Sequence, residues 1–98
     1  MATVTKKELI DRIADNEGCK RVLVKRVIQS FLDMIIDELS TGNRLEFRDF
    51  GVFELKRRKE RTARNPKTGE AVHVPARTVV AFKPGRIMKE RVVDVIPT

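Results

Sequence analysis

Residues 54–77, ELKRRKERTARNPKTGEAVHVPAR, hold eight Lys and Arg against three Glu. Between Lys56 and Thr68 the only apolar side chains are Ala63 and the ring of Pro66. Asn65-Pro66-Lys67-Thr68-Gly69 is dense in turn formers. The stretch therefore reads as a β-hairpin whose strands are too polar to lie on a core. A two-stranded ribbon of this kind is marginal alone in water, so it is expected to project from a body built by the rest of the chain.

Outward from this ribbon the charge vanishes. Residues 1–43 and 44–53 are each balanced, residues 54–77 carry +5 and residues 78–98 carry +2, which accounts for the net +7. A neutral body presenting one cationic segment suits a polyanion, and nucleic acid is the expected partner. The absence of Trp and Tyr argues against recognition by base stacking.

On the N-terminal side, Thr5-Lys6-Lys7-Glu8 fits a capping box, and Leu9, Ile10 and Ile13 follow at helical spacing, predicting a helix near 5–15. Asn16-Glu17-Gly18 breaks it. From about Lys20 to Ser40, Val24, Val27, Ile28, Phe31, Ile35 and Leu39 form an amphipathic seam of roughly five to six turns, closed by Gly42-Asn43. The period then changes to two. Leu45 and Phe47 alternate with Arg44, Glu46 and Arg48, Asp49-Phe50-Gly51 turns the chain, and Val52-Phe53-Glu54-Leu55 runs into the basic stretch. Thr78–Phe82 returns. Pro84 suits the first turn of a final helix, with Ile87, Met88, Val92 and Val93 on its inner side. The order is α-α-β-β-β-α.

Ninety-eight residues make one domain with a limited core. One Cys and one His allow neither an intrachain disulfide nor an ordinary zinc site, so oligomerisation is the expected source of stability. No metal, cofactor or small-molecule substrate is expected. The opening MATVTKKELIDRI has no signal-like run and no stretch approaches about 18 apolar residues, so a soluble, cytoplasmic protein without a membrane partner is expected. Cys19 reads as a small buried hydrophobe between the first two helices. His73 has no nucleophile beside it and reads as a surface residue. Asp49-Phe50-Gly51 matches a kinase tripeptide, but no phosphate loop accompanies it. No acid/base pair or nucleophile marks an enzyme.

The runs Gly42–Phe53, Arg61–Gly69 and Phe82-Lys83-Pro84-Gly85-Arg86 resemble the bacterial histone-like HU / integration host factor family, over nearly the whole chain. The resemblance implies an α+β fold: two N-terminal helices, a three-stranded antiparallel sheet with a long protruding hairpin arm, a short C-terminal helix, and an intertwined dimer. It divides the single domain into a helical dimerisation part (1–43), a sheet (44–82) with a basic arm at about 55–77, and a C-terminal helix (83–98). It implies a nucleoid-associated protein whose arms grip the minor groove of double-stranded DNA and bend it with weak sequence preference. Pro66 would be the intercalating wedge, flanked by Arg64, Asn65 and Lys67, with Lys56, Arg58 and Arg61 lining the arm. Lys83, Gly85 and Arg86, with Lys6, would hold phosphates on the flank. From spacing alone Pro66 reads first as an ordinary turn proline, and the lesser alternative for the basic run is a solvated charged hairpin.

Phe31, Phe47, Phe50, Phe53 and Phe82 match core and dimer-interface positions. Three positions depart from the family: Ala63 replaces a usual Gly, Val80 a usual Pro, and Lys20 the usual Ser or Thr cap. Glu46 and Arg48 match what looks like the sequence-reading pair of the integration host factor beta side. A sequence-specific subunit of a heterodimer is therefore an alternative to a homodimer, as is an RNA-binding module using the same ribbon.

Overall fold

The computed structural model describes residues 1–98. Its elements are α1 (Lys6–Glu17), α2 (Arg21–Ser40), β1 (Leu45–Phe47), β2 (Gly51–Arg58), β3 (Arg61–Arg64), β4 (Ala71–Val74), β5 (Arg77–Pro84) and α3 (Arg86–Val92). This is the α+β arrangement expected from the sequence, with the hairpin divided more finely.

Local chemistry sets the helix ends. The Thr5 hydroxyl accepts from the Glu8 N–H at 3.4 Å, and α1 stops at Gly18, whose φ of 61° lies in the left-handed region that glycine enters without strain. Lys20 offers α2 no side-chain cap, as its residue type predicts. At the other end the Asn43 backbone N–H reaches the Glu38 carbonyl at 3.0 Å, closing the turn through Gly42. The two helices meet at Ile10, Ala14 and Val24, the three buried apolar residues of the chain. An Asp11–Arg21 ion pair ties them across the connection.

Cys19 is exposed, which corrects its expected burial. Because α1 ends at Glu17, Cys19 falls in the connection, and its thiol faces the Glu17 carbonyl at 3.6 Å.

Strands β1, β2 and β5 form one antiparallel sheet in that order, and β3 pairs only with β4. The β1–β2 turn places Asp49 at φ 64°, a conformation that Asp tolerates better than most residues. In the long β2–β5 ladder Gly51 faces Pro84, Phe53 faces Phe82 and Leu55 faces Val80, while Glu54 faces Ala81 and Arg58 faces Arg77. Alternation along a strand thus puts Phe53, Leu55, Val80 and Phe82 on one face and Glu54, Lys56, Arg58 and Lys83 on the other. Val80, a non-proline here, keeps its place in an unbroken ladder.

Both sides of the hairpin are interrupted, at Lys59-Glu60 and at Pro75-Ala76, so the ribbon beyond is a sheet of its own. Pro84 and Lys83 are corrected too: they end β5, and α3 starts only at Arg86 with Gly85 as its N-cap.

The five phenylalanines run as one chain of ring contacts. Centroids lie 5.5 Å apart for Phe31–Phe47, 6.2 Å for Phe47–Phe53, 4.8 Å for Phe53–Phe82 and 5.7 Å for Phe82–Phe50. Yet Phe31 and Phe50 are each 52% exposed. With Leu32 and Ile35, Phe31, Phe47, Phe50 and Phe53 line an entirely apolar hollow of about 350 Å³. The radius of gyration is 18.9 Å, with extents of 57 × 36 × 27 Å. A compact chain of this length has a radius of about 13 Å.

Gly85 closes the sheet against the β1–β2 turn. Its N–H donates to the Phe50 carbonyl at 2.7 Å. A Cβ here would meet the Asp49 carbonyl carbon at 2.7 Å and the Phe50 carbonyl carbon at 2.9 Å, both backbone atoms with little freedom to yield. Gly85→Ala is therefore expected to lower stability by about 1–3 kcal/mol, the usual cost of overpacking. Thermal denaturation checks this, and an unchanged Tm would show that the turn relaxes freely.

Candidate nucleic-acid interface

The arm tip is built by its own polar groups. The Asn65 N–H donates to the Glu70 carbonyl and the Gly69 N–H to the Asn65 carbonyl, both at 2.8 Å. The Asn65 Oδ1 accepts from the Lys67 N–H at 2.9 Å, an Asx turn that spans Pro66. Arg64 reaches across to the Gly69 carbonyl at 3.1 Å, and Gly69 at φ 74° lets the chain reverse. These bonds leave the Pro66 ring exposed at the apex. Ala63, in place of the family's glycine, pairs with Val72 in a regular ladder.

Charge is distributed in two ways. On the body, the candidate cations already have partners. The Lys6 ammonium donates to the Gln29 side-chain oxygen. Lys83 pairs with Glu54 at 3.0 Å, and Arg86 pairs with Asp49 at 3.8 Å and Glu90 at 3.4 Å. On the arm, Lys56, Arg58, Arg61, Arg64 and Lys67 are all exposed, and none takes part in a salt bridge. The acid that comes closest to a basic side chain on the arm is Glu60, whose carboxylate lies 3.7 Å from the His73 Nε2.

The structure therefore collects the expected arm residues on one ribbon and its root, and leaves Lys6, Lys83 and Arg86 on three separate elements. It also removes one expected donor. The Gly85 N–H is spent on Phe50 rather than open to an anion. Lys59 and Arg77 share a cleft at the arm's root with Arg58 and Arg61, while Arg57, bonded to the Thr78 hydroxyl at 3.1 Å, lies on the other face of the ladder; nothing in the sequence distinguishes the three individually. Their only signal is membership of the basic run. No group of three or more His, Cys, Asp or Glu is placed to hold a metal ion, and no helix is long and apolar enough to cross a membrane.

Comparison with known proteins decides the family. The model of the bacterial DNA-binding proteins matches residues 4–93. This chain belongs to that family. A probable DNA-binding protein HU of Chlamydia trachomatis is 49% identical over 90 residues, spanning 91% of this chain and 90% of the relative. Integration host factor subunit alpha of Xanthomonas campestris pv. campestris is 42% identical over 89 residues, with the same coverage of 91% and 90%. Among solved structures, an Anabaena HU–DNA cocrystal structure matches with a TM-score of 0.85 at 35% identity, covering 93% of this chain and 99% of that one. HU from Thermotoga maritima matches with a TM-score of 0.64 at 30% identity, covering 91% and 98%.

The Lys83 ammonium, by its hydrogen bond to Glu54 and then by its charge, holds the Glu54 carboxyl below its ordinary pKa; Lys56 and Arg44 act in the same direction, and partial burial opposes them. A depressed carboxylate stabilises the fold above its unfolded pKa, and that contribution fades as pH falls through the lowered folded value. Denaturation midpoints taken from neutral pH down through the carboxylate range should thus lose less on acidification in Glu54→Gln than in the wild type. Parallel acid limbs would show that the pair contributes nothing.

Proposed function

We propose that this protein is a non-enzymatic architectural DNA-binding protein of the nucleoid that grips the minor groove with its arms and bends the duplex. The observation that carries the reading is the arm itself: a ribbon projecting beyond the sheet, rich in cations without acidic partners, with an exposed proline held at its apex. Arg and Lys suit a narrow and strongly negative groove. An apolar wedge partly unstacks one base step at a cost of a few kcal/mol, and the resulting bend brings more protein onto the DNA. Pro66 is that wedge. Its ring is rigid, so insertion costs little side-chain entropy, and the Asx turn beneath it fixes its direction. Arg64 and Asn65 flank it in the groove with Lys67 beside them, and Lys56, Arg58 and Arg61 follow the backbone.

The binding unit is a dimer, because one chain leaves its aromatic face open and a second copy is the simplest cover for it. Two arms then approach the duplex from opposite sides. Lys83, Arg86 and Lys6 take flanking phosphates once DNA competes for them with their present partners. Recognition rests mainly on phosphates and deformability, so sequence preference is weak and affinity falls steeply with salt.

A heterodimeric, sequence-specific subunit is the second reading. The kinship to an integration host factor alpha subunit favours it, as do Glu46 and Arg48, which are exposed on β1 and in the turn that follows it.

End-to-end FRET on a labelled duplex of about 35 base pairs, long enough for arms and flanks at two or more minor-groove positions, tests bending directly. The wild type should shorten the duplex, and Pro66→Ala should keep much of the affinity with a smaller bend. Arg64→Ala should weaken binding by about 1–3 kcal/mol. Binding without shortening would instead make the protein a basic coat, and a Pro66→Ala complex bent like the wild type would remove the wedge.

A further inference from the structure

The root of the arm carries an arrangement that the tip does not explain. Where β2 and β5 end, Arg58 and Arg77 stand directly opposite each other as the last rung of the body ladder. Like charges in that position oppose each other and destabilise the pairing. Beyond this rung the ladder is broken on both strands, and a cleft of about 460 Å³ opens there. Arg58, Lys59, Arg61 and Arg77 line it, together with Glu60, Val74 and Pro75. Glu60 is the only acid of the set, and its carboxylate faces the His73 Nε2 at 3.7 Å. None of the four cations has a carboxylate within salt-bridge distance. Four positive groups thus converge on one concavity, and two are held against each other by the register of the sheet.

We infer that this cleft is a seat for a backbone phosphodiester of the bound duplex, with Lys59 and Arg77 as its dedicated ligands. The inference rests on the DNA-binding reading above and adds a contact at the root of the arm to those along its length. The chemistry is specific to the place. A phosphodiester carries one charge on two unesterified oxygens and can accept the planar forks of two guanidiniums side by side. Seated there, it turns the Arg58–Arg77 repulsion into shared attraction. Arg58 and Arg77 belong to the body sheet, Arg61 to the ribbon and Lys59 to the break between them. One phosphate held by all four therefore ties arm to body across the interrupted ladder. The arm's angle to the body becomes fixed when DNA is present, so force applied at the tip can be transmitted to the duplex.

The test is a salt titration of duplex binding by the full-length protein, comparing the wild type with Lys59→Gln/Arg77→Gln. A charge-matched control, Lys20→Gln/Lys25→Gln, removes two exposed cations at the start of the second helix. The hinge variant should bind about tenfold more weakly at moderate salt, and its slope of log affinity against log salt should be shallower by about 1 for each phosphate that is no longer neutralised. The control should keep nearly the wild-type slope. Arg77→Gln alone supplies a second reading, because removing the like-charge rung should leave the Tm of the free protein equal or higher while duplex affinity falls. A hinge variant indistinguishable from the control would overturn the seat and leave the DNA-binding reading standing. A wild type that fails to bind the duplex would overturn both.

Discussion

The aromatic face of the sheet is the constraint on which the structure depends. Phe53 and Phe82 pair across β2 and β5, Phe47 and Phe50 surround them from β1 and the turn that follows it, and Phe31 joins from the second helix. The helices bury only Ile10, Ala14 and Val24. An apolar surface of this extent is not compatible with an isolated stable chain, since burial of apolar area is the main term that offsets conformational entropy. The aromatic face must therefore be closed by a second one. Everything that reaches DNA in the proposed mechanism is positioned by that closure: the continuous β2–β5 ladder that supports the arm, the turn against Gly85, and the relation of one arm to the other.

A division of labour follows in the charges. Of the candidate body cations, Lys83 is paired with Glu54 and Arg86 with Asp49 and Glu90, whereas Lys6 meets the neutral Gln29 side chain. Arm cations are left without acids, which suits a segment whose partner arrives from outside. The concentration of like charge on a thin ribbon destabilises the arm in the free protein and favours it once phosphates replace the missing counterions. The tip needs no such help, since Asn65, Gly69 and Glu70 satisfy one another through backbone bonds. Rigid apex, charged shaft and interrupted root are three different solutions to presenting one proline.

Much of this is legible in the residues. The Thr5 cap, the seam from Val24 to Leu39 and the Gly42-Asn43 close locate both helices, because these signals are local and of the expected period. The alternation through Leu45, Phe47 and Phe53 locates the sheet for the same reason. The break at Lys59-Glu60 is not legible: a run of charged residues has no apolar period to lose, and Pro75 on the opposite strand is its only mark. Cys19 has the residue type of a buried position, but its burial is decided by where α1 ends, and Gly18 leaves it in the connection. Gly85 has the sequence context of an open donor beside a helix start, whereas its N–H answers the Phe50 carbonyl, a contact between segments distant in sequence. The ring contacts among the five phenylalanines show why spacing does not separate core from interface.

The dependence of unfolding on protein concentration tests the shared core most directly. If two chains share one core, folding and association are a single event, and the thermal midpoint must rise as the protein is concentrated. That rise is expected, together with a dimeric mass at the concentrations where the protein is folded. A midpoint independent of concentration, with a folded species of one-chain mass, would contradict it, for the aromatic face would then be stable in water on its own.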